Sequence, residues 1–144
     1  MITLKDSIKI KASPQKVYEA FIEKLLTREK YLSWHRDHID LCWIKGDPLK
    51  EGSIVYAEEY INGGLQKLKF KIVRVVPNRE IVYRPLFPYS LFAPGNTWLF
   101  RPKGENSCIF TAMGRLRGGP LYKKLGAGRL KATLRHMQEE GENL

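Results

Sequence analysis

Cysteine, histidine and long apolar runs are all scarce in this chain of 144 residues. Its two cysteines, Cys42 and Cys108, are too few for a disulfide framework or a zinc ribbon, and their apolar neighbours predict free, buried thiols. No apolar run reaches the ~18 residues of a transmembrane helix. The first residues lack the pattern of a signal peptide, so we expect a cytoplasmic protein. The sequence lacks the motifs of a serine-histidine-aspartate catalytic triad, of a nucleotide-binding loop and of haem attachment. We therefore predict no cofactor.

What the chain does have is a globular composition with an excess of positive charge. Hydrophobic residues make up 43% and charged residues 28%, as in an ordinary folded domain. The length predicts one domain over residues 1–144. The net charge of +10 would attract nucleic acid, anionic lipid or acidic metabolites, and charge alone does not choose among them. Because no nucleic-acid-binding motif accompanies the charge, no nucleic-acid partner is predicted.

The spacing of apolar residues predicts one strand, two short helices, about six more strands and a final long helix. Alternation over about 2–12 indicates the first strand. Ser13-Pro14 supplies an N-cap and a first-turn proline for the first helix. The further predicted elements are a helix over about 27–38, strands over about 39–44, 54–61, 65–76, 80–84, 96–101 and 108–116, and a terminal helix from Leu121 past Met137.

This element order predicts an α+β fold in which a bent antiparallel sheet wraps over its last helix. The order, the segment SPQKVYEAF (13–21), glycines at 46 and 52, and the segment VRVVPNREIVY (73–83) resemble the START and birch-pollen-allergen (SRPBCC) superfamily, in its polyketide cyclase/dehydrase-like branch. The likeness spans nearly the whole chain. It implies a helix-grip fold of about seven strands around a long C-terminal helix, with two short helices after the first strand and a hydrophobic cavity between sheet and helix.

Two of the three histidines fall in the segment Trp34-His35-Arg36-Asp37-His38. If the second helix reaches His38, then His35 and His38 share one face, as an acid/base pair or paired metal ligands require. Stabilisation by the helix dipole is the alternative, because histidine is favoured near a helix C-terminus. His136 and Glu140, four residues apart, share a face of the last helix. No metal is predicted; if one binds, its ligands would be His35, His38 and His136.

A glutamate of the third strand completes a catalytic set with His35 and His38. Glu58 lies on the Tyr56 and Tyr60 side of this strand, and Glu59 lies on its apolar side. An apolar surrounding would raise the pKa of Glu59 and suit it to acid/base chemistry. Tyrosines often line polar cavities, so both glutamates remain candidates for catalysis.

Aromatic and basic side chains are the candidates for ligand contact. They are Trp34, Tyr56, Tyr60, Phe70, Trp98, Phe100, Arg115 and Arg117. The two arginines precede the last helix, whose N-terminus favours an anionic head group. Pairing with sheet charges or simple solvation is the alternative. The loop Leu86–Gly95 is unusually apolar, and it either forms a lid or packs over one end of the core.

Three functions fit these features. The first is binding of a hydrophobic or amphipathic small molecule, lipid-like, aromatic or polyketide-like, in the cavity. The second is a cyclase or dehydratase-type enzyme, in which His35, His38 and a third-strand glutamate perform acid/base or metal-assisted chemistry. The third is binding of a partner protein through the apolar loop. We favour the first, in a monomer or homodimer without membrane insertion.

Overall fold

The computed structural model describes residues 2–118 and 127–144. Its elements are β1 (Ile2–Ile10), α1 (Pro14–Lys24), α2 (Arg28–Trp34), β2 (His38–Lys45), β3 (Ile54–Ile61), β4 (Gly64–Val76), β5 (Glu80–Pro85), a short 3-10 helix (Tyr89–Leu91), β6 (Gly95–Pro102), β7 (Cys108–Leu116) and α3 (Ala127–Glu142). The predicted order of elements is confirmed. The start of the predicted terminal helix, with Leu121 and Leu125, lies outside the described residues.

All seven strands form one antiparallel sheet in the order β1-β7-β6-β5-β4-β3-β2. Strands β2 to β7 pair in sequence, and β1 pairs with β7, from Ile2 opposite Leu116 to Ile10 opposite Cys108. Helices α1 and α2 connect the two edge strands, while α3 contacts β1, β3 and β7. This is the predicted helix-grip fold, with the core between the sheet and the helices.

Helix α1 begins where the sequence predicts. Ser13 is the N-cap, and its hydroxyl accepts a hydrogen bond from the backbone N–H of Lys16. Pro14 occupies the first turn, where a missing N–H costs nothing. The inward side chains Val17, Tyr18 and Phe21 are buried. Capping and periodicity thus place α1 against the sheet.

Helix α2 is shorter than predicted and ends at Trp34. His35 has extended backbone angles, φ −149° and ψ 139°, and His38 is the first residue of β2. The predicted continuation of the helix to His38 is therefore wrong. Strand pairing is the physical reason, since the N–H of Tyr60 on β3 donates to the Asp37 carbonyl at 2.8 Å.

A β-bulge at the start of β2 decides which of its side chains face inward. His38 and Asp40 pair with consecutive residues of β3, so Ile39 between them has no opposite residue. In a regular strand, His38 and Leu41 would lie on opposite faces. The bulge lets both be buried, and it directs His38 into the molecule.

The two cysteines are free, and only Cys108 is buried. Cys42 is exposed because it lies beyond the bulge, opposite Tyr56 on the outer face of the sheet. The predicted burial of Cys42 is therefore wrong. In the part of the chain that the structure describes, no helix is long and apolar enough to cross a bilayer.

Candidate functional site

The three histidines of the chain lie close together in the folded protein, and all are buried. His35 follows α2, His38 begins β2, and His136 lies on α3. The ring centroid of His136 is 4.4 Å from that of His35 and 5.1 Å from that of His38. His35 and His38 thus come together through a turn and a bulge rather than through the helical spacing that drew attention to them.

Glu59 of β3 and Glu140 of α3 join His38 and His136 in a group that we call the His/Glu cluster. His38 Nε2 is 2.8 Å from Glu140 Oε2 and 3.6 Å from Glu59 Oε2. His136 Nε2 is 3.2 Å from Glu59 Oε2 and 3.4 Å from Glu140 Oε2. The two Nε2 atoms are 3.3 Å apart. Four donor atoms from three separate elements therefore surround one point.

Tyr31 of α2 orients the His38 side of this cluster. The Nδ1 of His38 lies 2.8 Å from the Tyr31 carbonyl oxygen, which only accepts, so Nδ1 carries a proton and Nε2 is directed at the cluster. The Tyr31 ring stacks on the imidazole with centroids 3.8 Å apart, and its hydroxyl donates to Glu59 Oε2 at 2.9 Å. One residue thus positions both an imidazole and a carboxylate.

The charges of the cluster are strongly coupled. Burial alone would lower the pKa of His136, but its hydrogen bonds to Glu140 and Glu59 and their negative charge raise that pKa far above its usual range. Burial would raise the pKa of Glu140, but His136 and His38 hold it below its usual range. At neutral pH, Glu140 is ionised and His136 carries a proton. The cluster therefore favours positive charge between its carboxylates.

His35 lies beside the cluster in a different state. Its Nδ1 accepts the backbone N–H of Asp37 at 2.9 Å, and its Nε2 faces Glu139 Oε1 at 3.7 Å. Burial lowers the pKa of His35, and the neighbouring His136 and His38 lower it further. His35, His38 and His136 do offer donor nitrogens within 4.8 Å of one another. The Nδ1 of His35 accepts a hydrogen bond, so the proton of the neutral ring is on Nε2, and neither nitrogen has a free lone pair for a metal. The His/Glu cluster is therefore the better donor set for a cation.

The spacing of the His/Glu cluster fits a first-row divalent cation such as Zn²⁺. A tetrahedral ion with bonds of about 2.0–2.1 Å places its ligand atoms about 3.3 Å apart. The five distances above run from 2.8 to 3.6 Å. Imidazole and carboxylate are also the donors that such cations accept. Among the described residues, the Nδ1 of His136 is buried without a hydrogen-bond partner, so His136 is held less firmly than His38.

A cavity of about 80 Å³ opens beside the cluster. Its polar lining comes from Tyr31, Tyr83, Glu59 and Glu140, and its aromatic wall from Trp34, Trp43, Phe70 and Trp98. The volume is well below the ~300 Å³ at which drug-sized pockets begin. Only a compact group fits there, in direct reach of both carboxylates.

Three of the residues predicted to contact a ligand, Trp34, Phe70 and Trp98, line this cavity. Phe100 does not line it. Its side chain is fully buried in the core, where it packs edge-on against Tyr18 with ring centroids 5.3 Å apart. The prediction for Phe100 is corrected because α1 covers that part of β6.

Tyr56, Glu58 and Tyr60 lie outside the cavity, contrary to expectation. They occupy the alternate positions of β3, whose other face presents Val55, Ala57 and Glu59 to the interior. The Tyr56 hydroxyl donates to the Glu58 carboxylate on that outer face. Strand alternation therefore brings Glu59, not Glu58, to the histidines.

The candidate anion site and the loop considered as a lid lie away from the cavity. Arg115 and Arg117 are exposed at and just after the end of β7. The predicted N-terminus of the last helix, which they were expected to flank, lies outside the described residues. No side chain of the loop Leu86–Gly95 lines the cavity, and the side chains of Phe87, Tyr89, Leu91 and Phe92 are exposed instead of packing over the core.

Sequence reasoning missed Tyr31 and Tyr83. Tyr31 matched the apolar stripe of a short helix, which is typical of a core residue. Tyr83 stacks on Trp98 with ring centroids 4.0 Å apart. Burial raises its pKa well above the usual value, and the charges of Glu140 and Glu59 raise it further, so it stays a neutral phenol. The only signal in the sequence was a tyrosine among the apolar residues of a predicted strand.

Comparisons with known proteins bear on the fold and the family. Residues 1–142 match the profile of a family described as polyketide cyclase / dehydrase and lipid transport. A search of the curated proteins found no match to this sequence. Among solved structures, the ZhuI aromatase/cyclase from Streptomyces sp. R1128 is similar, with a TM-score of 0.72 at 12% identity over 99% of this chain and 90% of that one.

Two plant proteins share the fold as well. Truncated norcoclaurine synthase from Thalictrum flavum gives a TM-score of 0.76 at 15% identity, over 99% of this chain and 89% of that one. Major latex-like protein 151 from Panax ginseng gives 0.63 at 16% identity, over 100% of this chain and 99% of that one. At these identities the structures support the fold alone.

Proposed function

Because the chain belongs to the polyketide cyclase / dehydrase and lipid transport family, we propose that it is an enzyme that acts on a small molecule with the help of a bound divalent cation. The His/Glu cluster would hold the cation, and the adjoining cavity would hold the reacting part of the substrate. Family membership supports small-molecule binding or cyclisation in general. The narrower proposal depends on one observation, the convergence of four donor atoms at spacings of 2.8–3.6 Å.

The substrate would approach from the carboxylate side of the cluster. Glu59 and Glu140 both line the cavity, whereas the histidines lie behind them. A cation held by the His/Glu cluster would polarise a carbonyl oxygen of the substrate if it accepts that oxygen as an additional, fifth ligand. Tyr83, held by its stacking on Trp98, would donate a hydrogen bond to that oxygen. The aromatic wall would exclude water and hold the adjacent carbon in place.

Proton abstraction next to a carbonyl is the step that this arrangement fits best. The Oε1 of Glu59 or Glu140, whose Oε2 atoms face the histidines, would take the proton from the carbon next to the carbonyl, and the electron pair left on carbon would delocalise onto the oxygen as an enolate. Ring closure by aldol addition and loss of water from the product both begin in this way. The proposed substrate is therefore a compact carbonyl compound with an apolar ring or chain.

Binding without turnover is the second candidate function. The aromatic residues Trp34, Trp43, Phe70 and Trp98 dominate one wall of the cavity, as in a simple hydrophobic binding site. In that case the His/Glu cluster would be a buried ion-pair network that fixes α3 on the sheet. The metal content of the protein distinguishes the two functions, because only the enzyme proposal requires a bound cation.

Native mass spectrometry combined with elemental analysis tests the proposal. We expect one divalent ion per chain, lost with a strong chelator and restored by one equivalent of Zn²⁺. Chelator-treated protein that stays folded and takes up no zinc, iron or manganese would overturn the proposal. A hydrophobic molecule retained in such metal-free protein would support binding without turnover.

Affinity for the cation should rise with pH through the neutral range and on towards the raised pKa of His136, about 11. The reason is the raised pKa of His136, which faces Glu140 on its own helix, Glu59 on β3, His38 on β2 and His35 after α2. In the folded, cation-free protein, His136 holds a proton throughout this range, and the cation must displace it. Lower pH strengthens the competing proton, so the affinity falls.

Titration calorimetry in two buffers with different ionisation enthalpies measures this proton. We expect about one proton released per ion at neutral pH. Equal heats in the two buffers would show that no proton leaves, and would contradict the assigned state of His136.

Two tyrosine variants form a matched pair. Tyr31→Phe removes the hydroxyl that donates to Glu59 but keeps the ring stacked on His38, and we expect the zinc affinity to fall about tenfold. Tyr83→Phe should leave zinc affinity unchanged and weaken only substrate binding or turnover. Competition with a chromophoric chelator measures both affinities. Equal zinc affinities for the two variants would contradict the role of Tyr31.

A further inference from the structure

Four large apolar side chains project into solvent from the loop Leu86–Gly95, which we call the aromatic loop. The exposed fractions are 78% for Phe87, 53% for Tyr89, 50% for Leu91 and 61% for Phe92. Single exposed apolar residues are common on protein surfaces, but four within six positions form a patch that indicates an interaction site. None of the four lines the cavity, so the patch has another use.

Main-chain hydrogen bonds hold the loop in this outward arrangement. At one end, the Leu86 N–H donates to the Lys69 carbonyl of β4 at 2.9 Å. At the other end, the Arg117 N–H donates to the Phe92 carbonyl at 2.7 Å. Within the loop, the 3-10 helix Tyr89–Leu91 forms one tight turn. The apolar side chains therefore stand on a fixed backbone that is tied to the strands on both sides.

Three exposed arginines, Arg84, Arg115 and Arg117, lie next to the aromatic loop in the chain or in the sheet register. Arg84 is exposed two residues before the loop, and exposed Arg115 is opposite Gly95 at the end of the loop in the β6–β7 register. Arg117 is exposed and bonded to the loop backbone. The patch is thus apolar at its tip and cationic at its base.

We propose that the aromatic loop docks the protein onto the surface of an anionic lipid bilayer. Phenylalanine, tyrosine and leucine side chains would enter the boundary between head groups and acyl chains, and the flanking arginines would contact lipid phosphates. A bilayer fits better than a protein partner. The side chains project outward instead of lining a groove, and the three flanking arginines complement an anionic surface. This docking does not depend on the His/Glu cluster.

Sedimentation with vesicles tests the proposal on the intact chain. The vesicles are either pure phosphatidylcholine or equimolar phosphatidylcholine and phosphatidylglycerol. We expect binding to the mixed vesicles that weakens with salt, and far weaker binding to the neutral ones. The double variant Phe87→Ser/Phe92→Ser should lower the partition coefficient about tenfold or more. Arg115→Gln/Arg117→Gln should lower it several-fold on mixed vesicles only.

The matched control is Ile44→Ser/Val73→Ser, which removes two exposed apolar side chains elsewhere on the sheet. It should bind vesicles like the original protein. Failure of the original protein to bind mixed vesicles would overturn the proposal, and so would equal losses in the control and the phenylalanine variant. If the phenylalanine variant instead changes only the mass in light scattering, the loop contacts a second copy of the chain and the lipid proposal is wrong. Metal content is unaffected in every case.

Discussion

His136→Ala should remove the proposed binding of a divalent cation and, with it, the proposed turnover. Its Nε2 lies 3.2, 3.3 and 3.4 Å from the three other donor atoms of the His/Glu cluster. Loss of this imidazole removes a ligand and leaves two carboxylates facing each other without their buried positive partner. We expect zinc affinity to fall by a factor of about 100 or more, because even changes outside the ligand set cost 10–100-fold.

Zinc titration and elemental analysis measure this loss. Arg135→Ala is the control, since Arg135 neighbours His136 on α3 but its side chain is 75% exposed. Because His136→Ala also breaks a buried charge pair, Glu140→Gln serves as a second variant that keeps the shape of the side chain. A folded His136→Ala protein that binds zinc as tightly as the original chain would show that the cluster is not a metal site.

Phe21→Ala should lower the free energy of unfolding by about 3–5 kcal/mol, the largest loss of stability expected for a single truncation. The side chain is fully buried. Its ring packs against Trp98, Trp34 and Phe100, with centroids 4.7, 5.4 and 5.4 Å away. The alanine would leave a cavity bounded by rigid aromatic rings, which cannot collapse to fill it.

The effect of Phe21→Ala should extend to the functional site. Trp34 and Trp98 line the cavity, and the Trp34 indole donates to the Glu140 carbonyl at 3.0 Å. Urea unfolding followed by circular dichroism measures the stability. Phe21→Leu, which keeps most of the volume, should cost less than about 1.5 kcal/mol. Equal losses for the leucine and alanine variants would contradict this packing argument.

Much of the fold could be predicted because its signals are local. The Ser13-Pro14 cap, the alternation of β3 and β4, and the final helical pattern each depend on neighbours within a few positions. These patterns, in order, were enough to indicate the helix-grip fold and its family. The end of α2 could not be predicted, because the contact that ends it joins Asp37 to Tyr60 on another element.

The site was predicted in part, and partly for the wrong reason. His35 and His38 drew attention through a helical spacing that the structure does not contain. Strand alternation separated Glu58 from Glu59 and put Glu59 on the apolar face, yet only the placement of α3 brought His136 and Glu140 to that face. Tyr31 had no distinguishing signal, since its carbonyl and hydroxyl serve the cluster through contacts 7 and 28 residues away in sequence.

The sequence by itself determined the elements, their order, the excess of positive charge and the apolar composition of the aromatic loop. These features depend on composition and on interactions between residues a few positions apart, and both can be read directly from the sequence. Only the tertiary structure decided that His38, Glu59, His136 and Glu140 converge. A β-bulge, the β2–β3 register and the docking of α3 together bring the four side chains to one point. Each depends on backbone pairing or packing between distant segments, and no local pattern encodes such contacts.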